Sequence, residues 1–370
     1  MKDLHRWMTA VAAALMTTVL AGCGSEDAET TPAPVLNIYV YGPSDPIQTR
    51  SVSPVEGEKK VNTLQIWVYR SSDGSEIGTL SLSGDELDGL NQTDKGYYSM
   101  AVPADFAASP TAVDVYVMAN VTNANCNQTF DRNITREVID LASFGGGYYQ
   151  YPVTGISPDG LPMSGVIRNR DITVHDDVLH LSGANLQLLR TVSKIRFVFS
   201  SSQQDNDNVY IDEVTLNGGV LPQMEYFFLN GGSYRVGTYH VADEKTMVTF
   251  SGTEAIKKNE DPLQYVYAGG DEQAYETLID QAAESNKVTV APIVYVRESD
   301  LPLKGTIKYH VDNEEAKKRQ APFSMQAQHF PRNHTWIVYA FYGSSSMEVN
   351  TVLVNDWENG GTGSHDLYNW

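Results

Sequence analysis

The sequence predicts a mainly β protein built from two tandem antiparallel β-sandwiches with a few short helices. Apolar and polar side chains alternate along many short segments, which is the period of a half-buried strand. Val, Ile, Tyr and Phe, which favour strands, are frequent in those segments. The apolar spacing that begins at Val61 recurs from Val192, about one domain's length further on, so two similar sandwiches are expected. A chain of 370 residues is long enough for two domains of ordinary size.

Residues 1–22 have the pattern of a secretory signal peptide. Lys2 and Arg6 precede an apolar run that is too short to span a bilayer comfortably, which takes about 20 residues. The run ends in Leu-Ala-Gly-Cys, which is similar to a bacterial lipoprotein signal and predicts lipidation of Cys23. The acidic, then Thr/Pro-rich stretch behind Cys23 is expected to be a solvated tether.

A short strand is predicted directly after this tether. Between Leu36 and Tyr41 the side chains alternate, which places Leu36, Ile38 and Val40 on one face. Glycine, prolines and hydroxyl residues then end the strand, and Arg50 follows among them without an acidic neighbour. We expect Arg50 to lie in an exposed loop.

Further strands are predicted along most of the remaining chain, and helices are few. Thr63 to Gly84 is predicted to form a hairpin with its turn at residues 72–74. Two segments have helical spacing, 133–143 with Asn133 as the N-cap residue, and 271–285 with one apolar stripe.

Composition and motifs argue against several classes of function. The net charge of −20 excludes nucleic acid and an anionic membrane surface as expected partners. No HExxH, GxSxG, Walker or GxGxxG motif is present, so no enzyme activity and no cofactor are predicted. The eight histidines are scattered, and no metal site is predicted. If Cys23 is lipidated, Cys126 is left without an intramolecular partner for a disulfide.

Several phrases of the sequence together resemble the type V fimbrillins, the FimA-like major fimbrial subunits of Bacteroides-type bacteria. The lipoprotein signal at Cys23, the early strand LNIYVY with Arg50 behind it, and VNTLQIWVYR match that family's order. LPMSG and LLRTVSKIRF resemble recurring phrases further along. PRNHTWIVYAFYG, over residues 331–343, is the most specific of these similarities, and the ending up to Trp370 follows the same pattern.

The resemblance implies two transthyretin-like, Greek-key sandwiches and four parts of the chain. These are a signal peptide (1–22), a lipidated propeptide with a removable strand (23–50), an N-terminal sandwich (51–183) and a C-terminal sandwich (184–370). The last two parts meet at the boundary that we predict near Gly183. The resemblance also implies that an arginine-specific protease cuts the Arg50–Ser51 bond. Loss of Leu36, Ile38 and Val40 would then empty a groove that a strand from another subunit fills.

The best candidate for the incoming donor strand is Ser346 to Asp356, which places four residues on one face. These residues are Met347, Val349, Thr351 and Leu353. The alternative is that the segment forms an ordinary last strand of the subunit's own sandwich. The two readings are compatible if the segment changes partner on assembly.

The resemblance implies an adhesive cell-surface fimbrium assembled from copies of this chain and accessory fimbrial subunits. Its other implied partners are the arginine-specific protease and, through the lipid of the precursor, the outer membrane. Two other classes of function stay open. One is a tip or anchor subunit of the same fimbria, and the other is a surface glycan-binding lipoprotein. An anchor would lack an effective cleavage arginine, whereas a glycan-binding protein would need an exposed platform of Trp and Tyr.

Overall fold

Strands dominate the structure, as the alternating pattern predicts. The structure is a computed structural model of the chain. It describes residues 33–43, 57–93, 95–121, 134–145, 153–154, 156, 159–176, 178–182, 186–228, 244–250, 253–259, 274–312, 316–325, 330 and 332–354.

The strands of the first half of the chain, in order, are β1 (Val35–Tyr41), β2 (Thr63–Arg70), β3 (Glu76–Ser83), β4 (Lys95–Ala101), β5 (Val113–Ala119), β6 (Ser143–Gly145), β7 (Val153–Thr154), β8 (Met163–Arg170), β9 (Ile172–His175), β10 (Val178–Leu181), β11 (Leu186–Gln187) and β12 (Leu189–Arg190). Those of the second half are β13 (Val192–Ser201), β14 (Val209–Asn217), β15 (Met224–Tyr226), β16 (Glu244–Thr249), β17 (Thr289–Val290), β18 (Val294–Arg297), β19 (Lys304–Val311), β20 (Arg319–Ser324), β21 (Thr335–Gly343) and β22 (Ser346–Val354).

The described helices are short, namely α1 (Asp88–Thr93), α2 (Ala104–Ala108), α3 (Arg136–Asp140) and α4 (Ala274–Glu284), with 3-10 turns at Gly84–Leu87 and Gly218–Val220. The α3 helix is shorter than predicted, and its N-cap residue is Thr135, whose hydroxyl accepts from the Val138 amide. Asn133, the predicted N-cap, lies outside the described residues. The predicted hairpin is confirmed, because β2 and β3 pair antiparallel across residues 71–75.

Two sheets enclose the first hydrophobic core. In one, β1 lies between β4 on one edge and β10 and β11 on the other, and β9 follows β10. In the other, the order is β12-β8-β5-β2-β3. Apolar side chains of both sheets, including Leu36, Ile38, Leu64, Ile66 and Val117, form one buried cluster. The two layers therefore form a β-sandwich.

Two further sheets enclose the second core. Their orders are β22-β21-β13-β18-β7, with β17 also pairing with β13, and β16-β14-β19-β20. Phe197, Phe199, Val214, Ile307 and other side chains from both sheets form the cluster between them. The outer face of β13 and β21 is covered by α4, because Val198 and Ile337 cluster with Ile279. The remaining pair, β15 with β6, forms a small sheet of its own.

The strand pairs are mainly antiparallel, as predicted, and three of the described pairs are parallel. The β1 strand runs parallel to β10 and β11, and β13 runs parallel to β21. Parallel neighbours need a long crossover rather than a tight turn, and here the intervening strands of each sandwich provide it. Both sandwiches therefore have mixed sheets.

The predicted boundary near Gly183 remains a prediction. The β11 and β12 strands, which follow that point, pair with β1 and β8 of the first two sheets. Residues from Pro34 onward group as one compact unit.

Candidate functional site

The site begins with β1, the strand whose removal the resemblance implies. It pairs with β4 along its whole length, from Val35 opposite Ala101 to Tyr41 opposite Lys95. Its other edge pairs first with β10 and then with β11. Leu36, Ile38 and Val40 are each 0% exposed, as the alternation predicts. The strand is therefore an interior part of the first sandwich, with backbone partners on both edges.

The outer face of β1 is more polar and partly exposed. Tyr39 is 39% exposed and packs against Tyr97 of β4, with the two ring centroids 4.8 Å apart. The Lys95 ammonium lies 4.7 Å from the Tyr39 ring centroid and 5.4 Å from that of Tyr41. These cross-strand contacts add to the attraction between β1 and β4.

The C-terminal end of β1 is held by the segment that contains β11 and β12. The amide of Leu188 donates to the Tyr41 carbonyl over 2.9 Å. The Gln187 side-chain amide donates to the Gly42 carbonyl. The Arg190 guanidinium donates to the Pro43 carbonyl over 3.3 Å. Among the described residues, the opposite end of the strand has one such contact, from the Val102 amide to the Pro34 carbonyl over 2.9 Å.

Arg190 also holds the chain where it resumes after the loop. It is fully buried, and its Nε donates to the Glu58 carbonyl over 3.0 Å. The Glu58 carboxylate is itself buried and lies 3.3 Å from the Lys194 ammonium. The Tyr295 hydroxyl donates to the other carboxylate oxygen of Glu58 over 2.6 Å. The two ends of the segment that contains Arg50 are thus held by one buried polar network.

The PRNH phrase has a structural role beside that network. The Arg332 Nε donates to a carboxylate oxygen of Glu298 over 2.9 Å, and its Nη2 lies 2.9 Å from Glu225 Oε1. Asn333 Oδ1 accepts from the Arg190 backbone amide and side chain over 3.2 and 3.3 Å. Burial raises the pKa of the Glu225 carboxyl well above its ordinary value, although the positive charge of Arg332 opposes that shift.

The glycine of the LPMSG motif, Gly165, lies where the backbones of β8 and β11 approach each other closely. A Cβ atom at Gly165 would lie 2.4 Å from the Gln187 carbonyl oxygen. Only glycine fits there, because β11 passes directly over β8. Gly165 therefore helps to place β11 at the edge of β1.

The β22 strand is the predicted donor, and the structure places it as the last described strand of the second sandwich. Within the described residues it pairs with β21 alone and forms an edge of its sheet. Met347 is buried, and Val349 packs against the second core. The structure therefore places this segment in an ordinary strand of its own subunit, at a position that can leave without separating two other strands.

The predicted processing residues Cys23, Arg50 and Ser51 lie outside the described residues. Lipidation and cleavage therefore remain predictions. Sequence reasoning missed Glu58, Arg190 and Lys194. Their signal is a charged residue inside an otherwise apolar strand, as in LLRTVSKI, where a buried charge needs a partner.

Within the described residues, no group of three His, Cys, Asp or Glu side chains is arranged to hold a metal ion. None of the helices in those residues has the length and apolar character of a membrane span.

Comparison with known proteins gives a likeness of fold. No protein-family model and no curated protein matches the sequence. A candidate cell adhesion protein from Parabacteroides distasonis matches with a TM-score of 0.55 at 15% identity, over 87% of this chain and 97% of that chain. The tip fimbrial protein Mfa3 from Porphyromonas gingivalis, with a C-terminal truncation, matches with a TM-score of 0.51 at 11% identity, over 88% and 100%. The fimbrilin FimA from the same species matches with a TM-score of 0.50 at 12% identity, over 87% and 97%.

The chain has the fimbrillin fold. The likeness extends over most of each chain, so it includes both sandwiches. Within this fold, β1 lies in the interior of its sheet and β22 lies at an edge of the described part of its own sheet.

Proposed function

We propose that this protein is a structural subunit of a surface fimbria that polymerises by strand exchange and supports adhesion. The chain is exported as a lipoprotein that carries its lipid on Cys23. It is then cleaved between Arg50 and Ser51 and loses the β1 strand. The observation that carries the proposal is that β1 is an interior strand with all three inward side chains fully buried. Its removal exposes two strand edges and an apolar groove at once.

Loss of β1 costs free energy, and binding of a replacement strand in the empty groove recovers it. Each of Leu36, Ile38 and Val40 contributes about 1.5–3 kcal/mol of burial. The facing edges of β4 and of β10 and β11 lose their backbone partners as well, and such groups are costly when they are left unpaired. A strand from a second copy restores both the burial of apolar side chains and the backbone hydrogen bonds. This is strand addition to an open sheet.

The β22 strand of a second copy is the donor in this proposal. Because it pairs with β21 alone among the described strands, it can leave its own sheet without splitting it. Met347, Val349, Thr351 and Leu353 share one face of the strand, and three of these four side chains are apolar, as the groove requires. Uncleaved chains stay monomeric, because an attached β1 has a high effective concentration and no translational entropy to lose.

The test uses the purified chain and an arginine-specific protease. Mass spectrometry should find a mature N-terminus at Ser51, and electron microscopy should find fibres after cleavage. Arg50→Ala should stay monomeric under the same treatment. Arg170→Ala, which changes an exposed arginine at the end of β8, is the matched control and should form fibres like the wild type. Fibres from Arg50→Ala in normal yield would overturn the proposal.

Lipidation of Cys23 is tested separately, by growth with a palmitate analogue. The label should appear in the wild-type precursor and be absent from Cys23→Ala. It should also be absent from the mature subunit, because the cut removes residue 23 with the propeptide. A label that persists in Cys23→Ala would contradict lipidation at that residue.

A tip subunit is the second candidate, because one of the similar structures is a tip fimbrial protein. Immunogold labelling of sheared fibres separates the two roles. A stalk subunit should be labelled along the whole fibre, whereas a tip subunit should be labelled at one end.

A further inference from the structure

The outer face of β1 carries one residue that is almost buried. Asn37 is 6% exposed, although Tyr39 on the same face and Tyr97 opposite it are 39% and 50% exposed. The Ser99 hydroxyl donates to the Asn37 side-chain oxygen over 2.7 Å. Asn37 and Ser99 are direct partners in the register of β1 and β4. This position therefore favours a small, uncharged polar side chain.

The β22 strand repeats the same arrangement. Residues 35–41 read VLNIYVY and residues 348–354 read EVNTVLV. In both segments an asparagine follows an aliphatic residue, and a second aliphatic residue stands three positions after the asparagine. When Asn350 is aligned with Asn37, Val349 matches Leu36 and Leu353 matches Val40.

We propose that β22 of a second copy replaces β1 in one register, with Asn350 in the place of Asn37 and opposite Ser99 of the accepting subunit. The incoming strand runs in the same direction as β1, antiparallel to β4. Val349, Thr351 and Leu353 enter the positions of Leu36, Ile38 and Val40. This inference rests on the strand exchange proposed above and specifies its register.

Neighbouring registers place polar side chains in apolar sites. A slip of one residue places Glu348 or Asn350 at the Leu36 position, which is fully buried. A slip of two places Asn355 at the Val40 position, or Glu348 at the nearly buried Asn37 position. A buried charge or an unsatisfied amide is costly, so each of these registers is disfavoured. A single polar residue can fix the register of an apolar interface in this way.

Thr351 is the weakest match in the proposed register. Its hydroxyl would enter the position of Ile38, which is surrounded by apolar side chains. The donor is therefore less suited to the groove than β1 itself. Thr351→Val keeps the shape and removes the hydroxyl, so it should increase the fraction of cleaved subunits that enter fibres.

Cysteine pairs across the subunit interface test the register. The background chain carries Cys23→Ser and Cys126→Ser, so that only the introduced cysteines can pair. Directly opposed residues of an antiparallel pair lie about 4.5–5.5 Å apart at Cα, within reach of a disulfide. Cleaved Ser99→Cys subunits are mixed with cleaved Asn350→Cys, Glu348→Cys or Val352→Cys subunits, oxidised gently and separated on a non-reducing gel.

We expect Ser99→Cys to form a covalent dimer mainly with Asn350→Cys. A second pair, Tyr97→Cys with Val352→Cys, should also form and fixes the direction of the strand, since a reversed strand would pair Tyr97→Cys with Glu348→Cys. Mixtures in an Arg50→Ala background should form neither dimer. The Tyr97 pair also gives a result if either substitution at the asparagine site weakens assembly.

The possible outcomes distinguish an error in the proposed register from an error in the proposed strand exchange. Fibres in which Ser99→Cys links mainly to Glu348→Cys or Val352→Cys would overturn the register and leave strand exchange intact. Fibres in which none of the three β22 positions forms a link would overturn this register, because they fit a one-residue slip of β22 or a donor other than β22. If the cleaved wild-type chain forms no fibres, the proposed strand exchange is wrong, and this register with it.

Discussion

Arg190 contacts the described chain directly before and directly after the segment that contains the predicted cut. Its guanidinium donates to the Pro43 carbonyl before the loop and to the Glu58 carbonyl after it. The side chain is fully buried and also donates to Asn333. A buried carbonyl that loses its hydrogen-bond donor cannot form a hydrogen bond with water instead. The stability of the network therefore depends on Arg190.

Arg190→Met should lower the free energy of unfolding of the uncleaved chain by about 3 kcal/mol. Methionine keeps much of the apolar volume but removes the donor of the buried Pro43 and Glu58 carbonyls. Urea denaturation measures the change, and Arg170→Met, at an exposed position, should stay within about 0.5 kcal/mol of the wild type. Equal stability of the two variants would contradict the importance of the network.

Glu225 is a buried carboxyl beside Arg332 and Glu298, and burial raises its pKa. The unperturbed pKa of a glutamate is about 4.3. Between that value and the raised one, the folded protein binds a proton that the unfolded chain has released. The free energy of unfolding therefore falls as pH rises through this window.

Glu225→Gln should remove this part of the pH dependence. Its stability relative to the wild type should increase as pH rises from about 4.3 through the raised pKa, because glutamine does not titrate. Chemical denaturation over a series of pH values measures the difference. Glu284→Gln, at an exposed position in α4, should leave the wild-type slope unchanged. A Glu225→Gln curve parallel to that of the wild type would show that the carboxyl does not titrate in this window.

At the scale of a single element, the two faces of β1 should differ sharply in their contribution to stability. Ile38→Ala should cost the uncleaved chain about 2–5 kcal/mol, because it leaves a cavity in the first core. Tyr39→Ala should cost about 0.5–1.5 kcal/mol, because it removes an exposed cross-strand contact with Tyr97. Thermal or urea denaturation of both variants measures the contrast. Similar costs for the two changes would mean that β1 is not anchored through its inner face.

The sequence predicted the strands with strong alternation because their pattern reports one buried face. The inner face of β1 and the β2–β3 hairpin are examples, since both depend on neighbouring residues alone. The partners of β1 at β10 and β11 could not be predicted in this way. They follow some 140 residues later in the chain, and parallel pairing depends on how the whole sandwich closes.

The β13 strand shows a second case in which apolar–polar alternation fails to predict the structure. All ten of its residues are buried, because the second core covers one face and α4 covers part of the other. Alternation disappears when both faces are covered. Lys194 stands in that strand as a buried charge, and only the three-dimensional structure shows that Glu58, far away in the chain, is its partner.

At the scale of the whole molecule, net charge opposes assembly. The full chain carries a formal charge of −20, and a cut after Arg50 removes three basic and five acidic residues, so each cleaved subunit keeps a charge of −18 and repels its neighbours as they approach. Added salt shortens the range of that repulsion, from about 30 Å at 0.01 M to about 8 Å at 0.15 M ionic strength.

The rate of fibre growth from cleaved subunits should therefore rise with salt over this range. Light scattering of cleaved protein at several NaCl concentrations measures the rate, and KCl at matched ionic strength controls for effects of a particular ion. The stability of the uncleaved monomer should be followed in parallel, so that a change in subunit folding is recognised. Growth that slows as salt is added would mean that attraction between opposite charges dominates the encounter.

The two ends of β1 are held unequally, and this gives its detachment a direction. In the part of the chain that the structure describes, three contacts, from Gln187, Leu188 and Arg190, retain the end next to the predicted cut, and one contact from Val102 retains the end next to the tail. A pull on the tail therefore loads the weaker end first. We expect the cleaved strand to peel from its tail end, with release of Pro43 from Arg190 as the final barrier. A lipid on Cys23 would transmit force from the membrane to that tail. Tension between the membrane and the subunit should therefore increase the rate at which the cleaved β1 strand is released.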